Sequence, residues 1–168
     1  MIKNHIYRGF RILYSPKEEF NSLNKSSFED VLAYYMWMLV LTSVATGLFN
    51  FVFSVARVLY YKFTLNIDIQ YLRMLNYTLG RSTSLIFIYL FAGTFIVFAA
   101  SIVLRAIFYK IKYIEMLKIM FYSLSPFLIF GWFVFSVYPI LIWCLFLFVN
   151  GIRNHKAEKI KGSIKQRE

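Results

Sequence analysis

The sequence predicts an all-α fold: a polytopic membrane bundle with four clear spans behind a short amphipathic N-terminal helical region. The chain of 168 residues is 60% hydrophobic and 21% aromatic, which is more apolar surface than a soluble domain of this size can cover. Its charged residues are confined to segments between long apolar runs. The longest of these runs, residues 119–152, contains no Asp, Glu, Lys, Arg or His.

This longest run is too long for one span. As a single helix it would measure about 50 Å, against roughly 30 Å of bilayer hydrocarbon. Two spans, at about 114–135 and 139–157, fit better, with a tight turn near Ser136. Pro139 suits the first turn of the second helix. Pro126 falls inside the preceding helix and is expected to bend it, with Ser123 and Ser125 satisfying freed backbone groups.

Two earlier uncharged runs predict the first pair of spans, at about 31–56 and 82–104. Aromatic residues mark both ends of the first span, as in interfacial belts. Each span also carries small or polar residues at helical spacing, which in lipid favours helix packing over ligand binding. These residues are Ser43, Thr46, Gly47 and Asn50 in the first span, and Ala92, Gly93, Ala99 and Ala100 in the second.

Residues 1–30 are predicted to form a cytoplasmic amphipathic collar. Ile6, Phe10 and Leu13 follow i, i+4, i+7 spacing. Such a helix either lies on the membrane or packs on its own bundle, and the sequence leaves both open. Two capping boxes, at 15–18 and 26–29, predict a second short helix and the start of the first span.

Residues 57–81 are the hardest to assign, because they carry several charges that are costly in lipid. We interpret them as an external segment at the membrane interface, with an amphipathic face from Ile69 to Leu79. The alternative is a fifth span in which Asp68 and Arg73 face the bundle interior.

Charge asymmetry predicts the orientation. With four spans, 15 of the 19 Lys and Arg residues fall in segments 1–30, 105–118 and 153–168. Because Lys and Arg are enriched in cytoplasmic loops, both termini are expected in the cytoplasm of a multi-pass cell-membrane protein. The domains are then the collar (1–30), the bundle (31–157) and a basic tail (158–168). The basic segments are expected to contact anionic lipid head groups rather than nucleic acid.

The sequence offers no catalytic, cofactor-binding or metal-binding residues. It has no Gly-rich phosphate loop, no HExxH and no GxSxG. Cys144 is the single cysteine, and His5 and His155 lie at opposite ends of the chain. The predicted spans contain no acid at mid-depth, which disfavours ion-coupled transport.

Three stretches together resemble the Yip domain family, small multi-span membrane proteins named for interaction with Ypt/Rab GTPases. They are LYSPKEEFNSL before the first span, YSLSPFLIFGWFVF in the penultimate span, and IWCLFLFVNGIRNHKAEKI in the last span and tail. The resemblance implies a partner-binding or membrane-organising protein of the prokaryotic type, without Rab binding. The family typically has five spans, so residues 57–81 stand where another would be sought.

Three functions compete at this point. The first is a non-enzymatic scaffold whose partners are the lipid bilayer and other membrane proteins. The second is a subunit of a transporter or channel, which Asn50 facing a wet cavity would favour. The third is a membrane enzyme acting on lipid, which would need polar groups converging near one interface.

Overall fold

The computed structural model describes residues 2–65, 71–131 and 137–165, and these ranges form seven α-helices and no strand. The all-α prediction is confirmed. Four helical stretches are long and apolar enough to cross a membrane: Phe28–Thr64, Arg73–Ile107, Tyr113–Phe130 and Val137–Ala157. The helices are α1 (Ile2–Tyr14), α2 (Pro16–Lys25), α3 (Phe28–Leu65), α4 (Tyr71–Ile107), α5 (Tyr113–Ser123), α6 (Ser125–Phe130) and α7 (Val137–Lys165).

Helix α5 is the centre of the bundle, and it packs against α3, α4 and α7. Aromatic rings make much of this contact. Phe121 stacks on Tyr35 of α3 with ring centroids 4.3 Å apart, and it meets Phe98 of α4 edge-on at 6.0 Å. Such ring pairs add roughly 0.5–1.5 kcal/mol beyond the area that they bury. Through Phe121, α5 therefore joins α3 and α4 in one aromatic cluster.

At the bend expected from Pro126, the break in the helix is limited to Leu124, which stays in the right-handed helical region and keeps i→i−4 backbone hydrogen bonds on both sides. Helix α5 ends at Ser123, Leu124 lies between the helices, and α6 begins at Ser125 with Pro126 in its first turn. Proline is tolerated there because the first helical N–H groups have no intrahelical acceptor. Ser123 donates to the carbonyl of Ile119, and Ser125 donates to that of Tyr122. Ser125 therefore bonds the Tyr122 carbonyl, which Pro126 leaves without its i→i−4 donor, as the sequence predicted, whereas Ser123 bonds a carbonyl one turn earlier in α5.

The first span starts one residue later than its predicted capping box. The Ser27 hydroxyl accepts the Asp30 amide at 3.1 Å, so Ser27 is the N-cap of α3. Ser26 instead donates to the carbonyl of Ser22, near the end of α2. Because the two serines are adjacent, the sequence allows either to be the N-cap. The Ser26 hydroxyl is bonded to the Ser22 carbonyl, and Ser27 is the N-cap.

Helix α1 packs on the bundle with part of the predicted stripe, because Leu13 lies against the core and Ile6 is half-buried. Gly9 and Ile12 are buried, and a Cβ on Gly9 would lie within 3.4 Å of side chains from α3 and α6. Phe10 of the predicted stripe is 41% exposed and lies beside other exposed aromatics, Tyr7 and Tyr14. The apolar face of α1 is thus divided between the bundle and its surroundings.

Residues 57–81 are not one interfacial helix. Helix α3 continues through Leu65 and α4 begins at Tyr71, so most of the segment prolongs the two spans into a helical hairpin. Leu75 and Leu79 of the predicted amphipathic face are about half exposed. Asp68 and Ile69 lie outside the described residues.

The small residues of α3 are used in packing, as predicted. A Cβ on Gly47 would lie 2.6 Å from Ile86 Cγ1 and 3.2 Å from the backbone oxygen of Ser82, both on α4. Ser43 is fully buried. Close approach of two helices in lipid requires such residues, so Gly47 fixes the contact between α3 and α4.

Candidate functional site

Buried hydroxyls join α3 to the break between α5 and α6. The Tyr34 hydroxyl lies 2.6 Å from Ser125 Oγ, and Ser125 Oγ donates to the Tyr122 carbonyl at 2.7 Å. Because Ser125 uses its proton on the carbonyl, Tyr34 is the donor of the first bond. Both side chains are fully buried. The network ties the first span to a carbonyl beside the break.

Removing the Tyr34 hydroxyl is expected to destabilise the bundle modestly. Tyr34→Phe keeps the ring, and Ser125 keeps its bond to Tyr122, so the loss is one buried hydrogen bond, about 1 kcal/mol. The SDS fraction at half-unfolding, followed by tryptophan fluorescence in mild detergent, measures it. Tyr138→Phe is the matched control, because Tyr138 is 81% exposed. Equal midpoints for the two variants would contradict the role assigned to Tyr34.

A second polar contact holds α1 against α2. Arg11 Nε lies 3.2 Å from Glu19 Oε1, and Arg11 Nη2 lies 3.2 Å from Glu18 Oε2. The hydrogen bond that Arg11 donates to Glu18, together with the charge of Glu19, raises the pKa of Arg11. Glu19 is almost fully buried, whereas Arg11 is half exposed. Glu18, which was expected to complete a capping box at 15–18, takes part in this ion pair.

A third polar contact lies where α5 and α7 meet. His155 Nε2 lies 3.1 Å from Glu115 Oε2, a distance at which the two form an ion pair when the imidazole is protonated. The same end of α5 also contacts the connection between α2 and α3, because Lys118 Nζ donates to the Ser26 carbonyl at 2.6 Å. The sequence did not pair His155 with Glu115, since 40 residues separate them. In the described side chains, no three His, Cys, Asp or Glu groups come together as metal ligands.

A cleft of about 340 Å³ opens between α3, α4 and α6. Gly93 forms part of its wall, and a Cβ there would meet only Leu39 Cδ1, at 3.3 Å. Ile88 and Ile96 stand at its margin and are 56% and 62% exposed. The complete lining is Tyr35, Leu39, Thr42, Ile88, Tyr89, Ala92, Gly93, Ile96, Val97, Leu124, Phe127 and Leu128.

Two of the three hydroxyls that line this cleft, those of Thr42 and Tyr35, are engaged with the protein. Thr42 Oγ1 contacts the carbonyl oxygens of Met38 and Leu128, and the Tyr35 hydroxyl interacts with Thr94. A polar ligand bound in the cleft would give up its hydrogen bonds to water without gaining equivalent ones from the protein. The cleft is therefore suited to hydrocarbon. The sequence did not predict the cleft. The small residues Ala92 and Gly93 indicated only that another helix could approach closely there.

Comparison of the chain with family models, with curated proteins and with solved structures finds no match.

Proposed function

We propose that this membrane protein is a non-catalytic, Yip-like scaffold of the cell membrane that binds other membrane proteins through the outer part of its α3–α4 hairpin. The membrane assignment rests on the four long apolar helices. The scaffold role rests on one observation, which is the exposed apolar surface of that hairpin. The resemblance of three sequence stretches to the Yip domain family agrees with it.

The two helices of the hairpin are longer than α5 and α6 taken together. Helices α3 and α4 contain 38 and 37 residues, or about 55 Å each, whereas α5 and α6 together extend about 27 Å. Past Thr42, which touches Leu128 of α6, the contacts described for α3 are with α4. Outside the uncharged segments 31–56 and 82–104, where lipid hydrocarbon does not cover the protein, large apolar side chains of the hairpin stay exposed, and contiguous apolar surface of this kind supports an interaction role. They include Leu59, Phe63, Met74, Leu75, Tyr77 and Leu79.

Site-specific photo-crosslinking tests the scaffold role. Benzoylphenylalanine replaces Phe53 or Phe63 on the hairpin, which are 55% and 78% exposed, or Leu145 on α7, which is 65% exposed. After irradiation of intact cells, the hairpin positions should give a discrete protein adduct, and Leu145 should give lipid adducts. Lipid adducts alone at all three positions would argue against a protein partner at the hairpin.

The proposed orientation places both termini in the cytoplasm and the hairpin tip outside. In a Cys144→Ser background, single cysteines replace the exposed residues Lys17, Asn76 and Lys156. An impermeant maleimide added to intact cells should label Asn76→Cys alone, because impermeant reagents reach only the outer side. Labelling of Lys17→Cys and Lys156→Cys instead would invert the topology. Labelling of Lys156→Cys without Lys17→Cys would indicate an odd number of spans.

A transporter or channel subunit is the second candidate, and polar groups within the hairpin favour it. Asn50 is half-buried in α3, where its Oδ1 accepts a hydrogen bond of 3.4 Å from Ser54. The buried Ser82 Oγ of α4 has no hydrogen-bond partner among the described residues. Purified protein in liposomes should still accumulate no solute under a proton or sodium gradient. Uptake that is lost on Asn50→Leu would replace the scaffold proposal with transport.

A further inference from the structure

We infer that the cleft between α3, α4 and α6 is a binding site for one acyl chain of a phospholipid, whose phosphate is held by Arg81. This inference is independent of the scaffold proposal, because it concerns the lipid that the bundle holds and not its protein partner. It rests on the depth of the cleft, the chemistry of its lining and the position of Arg81.

The depth of the cleft determines what can enter it. Ile88 and Ile96 lie well inside the uncharged part of α4, residues 82–104. Because both are more than half exposed, the cleft opens sideways onto the surface of the bundle. At this depth the surroundings of a membrane-spanning helix are lipid hydrocarbon. The ligand available to the cleft is therefore an acyl chain.

The lining agrees with an acyl chain. Its side chains are apolar apart from hydroxyls, and the Thr42 and Tyr35 hydroxyls are engaged within the protein. A volume of about 340 Å³ is at the lower end of ordinary small-molecule sites. Gly93 keeps the space open, because any larger side chain at this wall position would project toward Leu39 or into the cleft.

Arg81 supplies the head-group contact. It precedes Ile88 by seven residues, so the two lie on nearly the same face of α4, about 10 Å apart along its axis. Arg81 is exposed and adjoins the uncharged segment, which places its guanidinium at the level of the lipid head groups. Guanidinium groups bind phosphate oxygens in bidentate fashion.

The lengths also match. From Arg81 to Ile96 the helix rises about 22 Å. A bilayer with a hydrocarbon core of about 30 Å is about 40–45 Å thick with its head groups. Its mid-plane therefore lies roughly 20–22 Å below the outer edge of the head groups. A phospholipid with its phosphate at Arg81 thus reaches the far end of the cleft with one chain. In the proposed topology this lipid comes from the outer, non-cytoplasmic leaflet.

Native mass spectrometry of the detergent-purified full chain, titrated with dioleoyl phosphatidylglycerol, tests the site. Gly93→Leu fills the cleft and should weaken retention of the first lipid by roughly tenfold. Gly80→Leu is the matched control, since a Cβ at Gly80 meets nothing within 4 Å, and it should bind like the wild type. Ala92→Leu, a second cleft-filling variant, covers the case in which Gly93→Leu misfolds.

Head-group variants complete the test. Arg81→Gln should weaken phosphatidylglycerol and phosphatidylcholine together, because both carry the phosphate, whereas Arg105→Gln, at the other end of the span, should leave both unchanged. Inorganic phosphate should not compete, since most of the site is apolar. Wild-type retention in both cleft-filling variants, or equal weakening in Gly80→Leu, would overturn the inference. Competition by inorganic phosphate would overturn the acyl-chain site and leave only an anion contact.

Discussion

Gly151→Leu is expected to separate the N-terminal helices from the bundle. A Cβ on Gly151 of α7 would lie 2.8 Å from Phe20 Cε1 of α2 and 2.8 Å from Ile119 Cγ2 of α5. Phe20 and Ile119 are both almost fully buried, so neither can rotate into open space. Overpacking of this kind costs typically 1–3 kcal/mol and sometimes more, and leucine adds three more carbons beyond the Cβ.

Tryptic cleavage in native detergent measures this separation, because α2 contains Lys17 and Lys25. Cleavage near these residues should accelerate in Gly151→Leu, and the SDS midpoint should fall. Val149→Leu on the same helix is the matched control, since Val149 is 53% exposed. Cleavage of Gly151→Leu at the wild-type rate would show that α2 accommodates the leucine, contrary to the packing described.

Gly47→Leu is expected to force α3 and α4 apart. The Cβ would meet Ile86 at 2.6 Å, and the backbone oxygen of Ser82 at 3.2 Å prevents the clash from being relieved by side-chain rotation alone. The cost should be about 2–3 kcal/mol or more. The SDS midpoint should therefore fall well below that of the wild type.

The control for this second change is Gly80→Leu on α4, where a Cβ meets nothing within 4 Å. Replacing that exposed helical glycine should raise stability by up to about 1 kcal/mol, because glycine is a poor helix former. The two variants should thus move the midpoint in opposite directions. A shift in the same direction for both would show that Gly47 does not fix the spacing of the helices.

The spans could be predicted from sequence because charge is excluded from lipid so strongly that uncharged runs mark them. The packing role of Gly47 was predictable for a related reason, since small residues at helical spacing are how lipid-embedded helices approach each other. The break at Pro126 followed from the chemistry of one residue. The structure differs from the expected bend in one respect, since a separate helix, α6, begins there with Pro126 in its first turn.

Features that depend on long-range contacts could not be predicted. The buried face of α1 includes Gly9, a residue without a hydrophobic signal, because its partners Tyr34 and Ile129 come from distant segments. The contact between His155 and Glu115 has the same origin. The cleft exists because no side chain fills the space beside Gly93. The sequence shows that Gly93 is small, but it does not show which helices surround it.

The unequal helix lengths also concern the bilayer itself. The uncharged parts of α3 and α4 measure about 39 and 34 Å, whereas the uncharged part of α5 with α6, residues 119–130, measures about 18 Å. One side of the protein therefore presents a thicker hydrophobic belt than the other. Lipids deform or helices tilt to relieve such mismatch, at a cost of fractions of a kcal/mol per ångström. We expect a protein of this shape to prefer places where membrane thickness changes, and to prefer neighbours whose hydrophobic belts match its longer side.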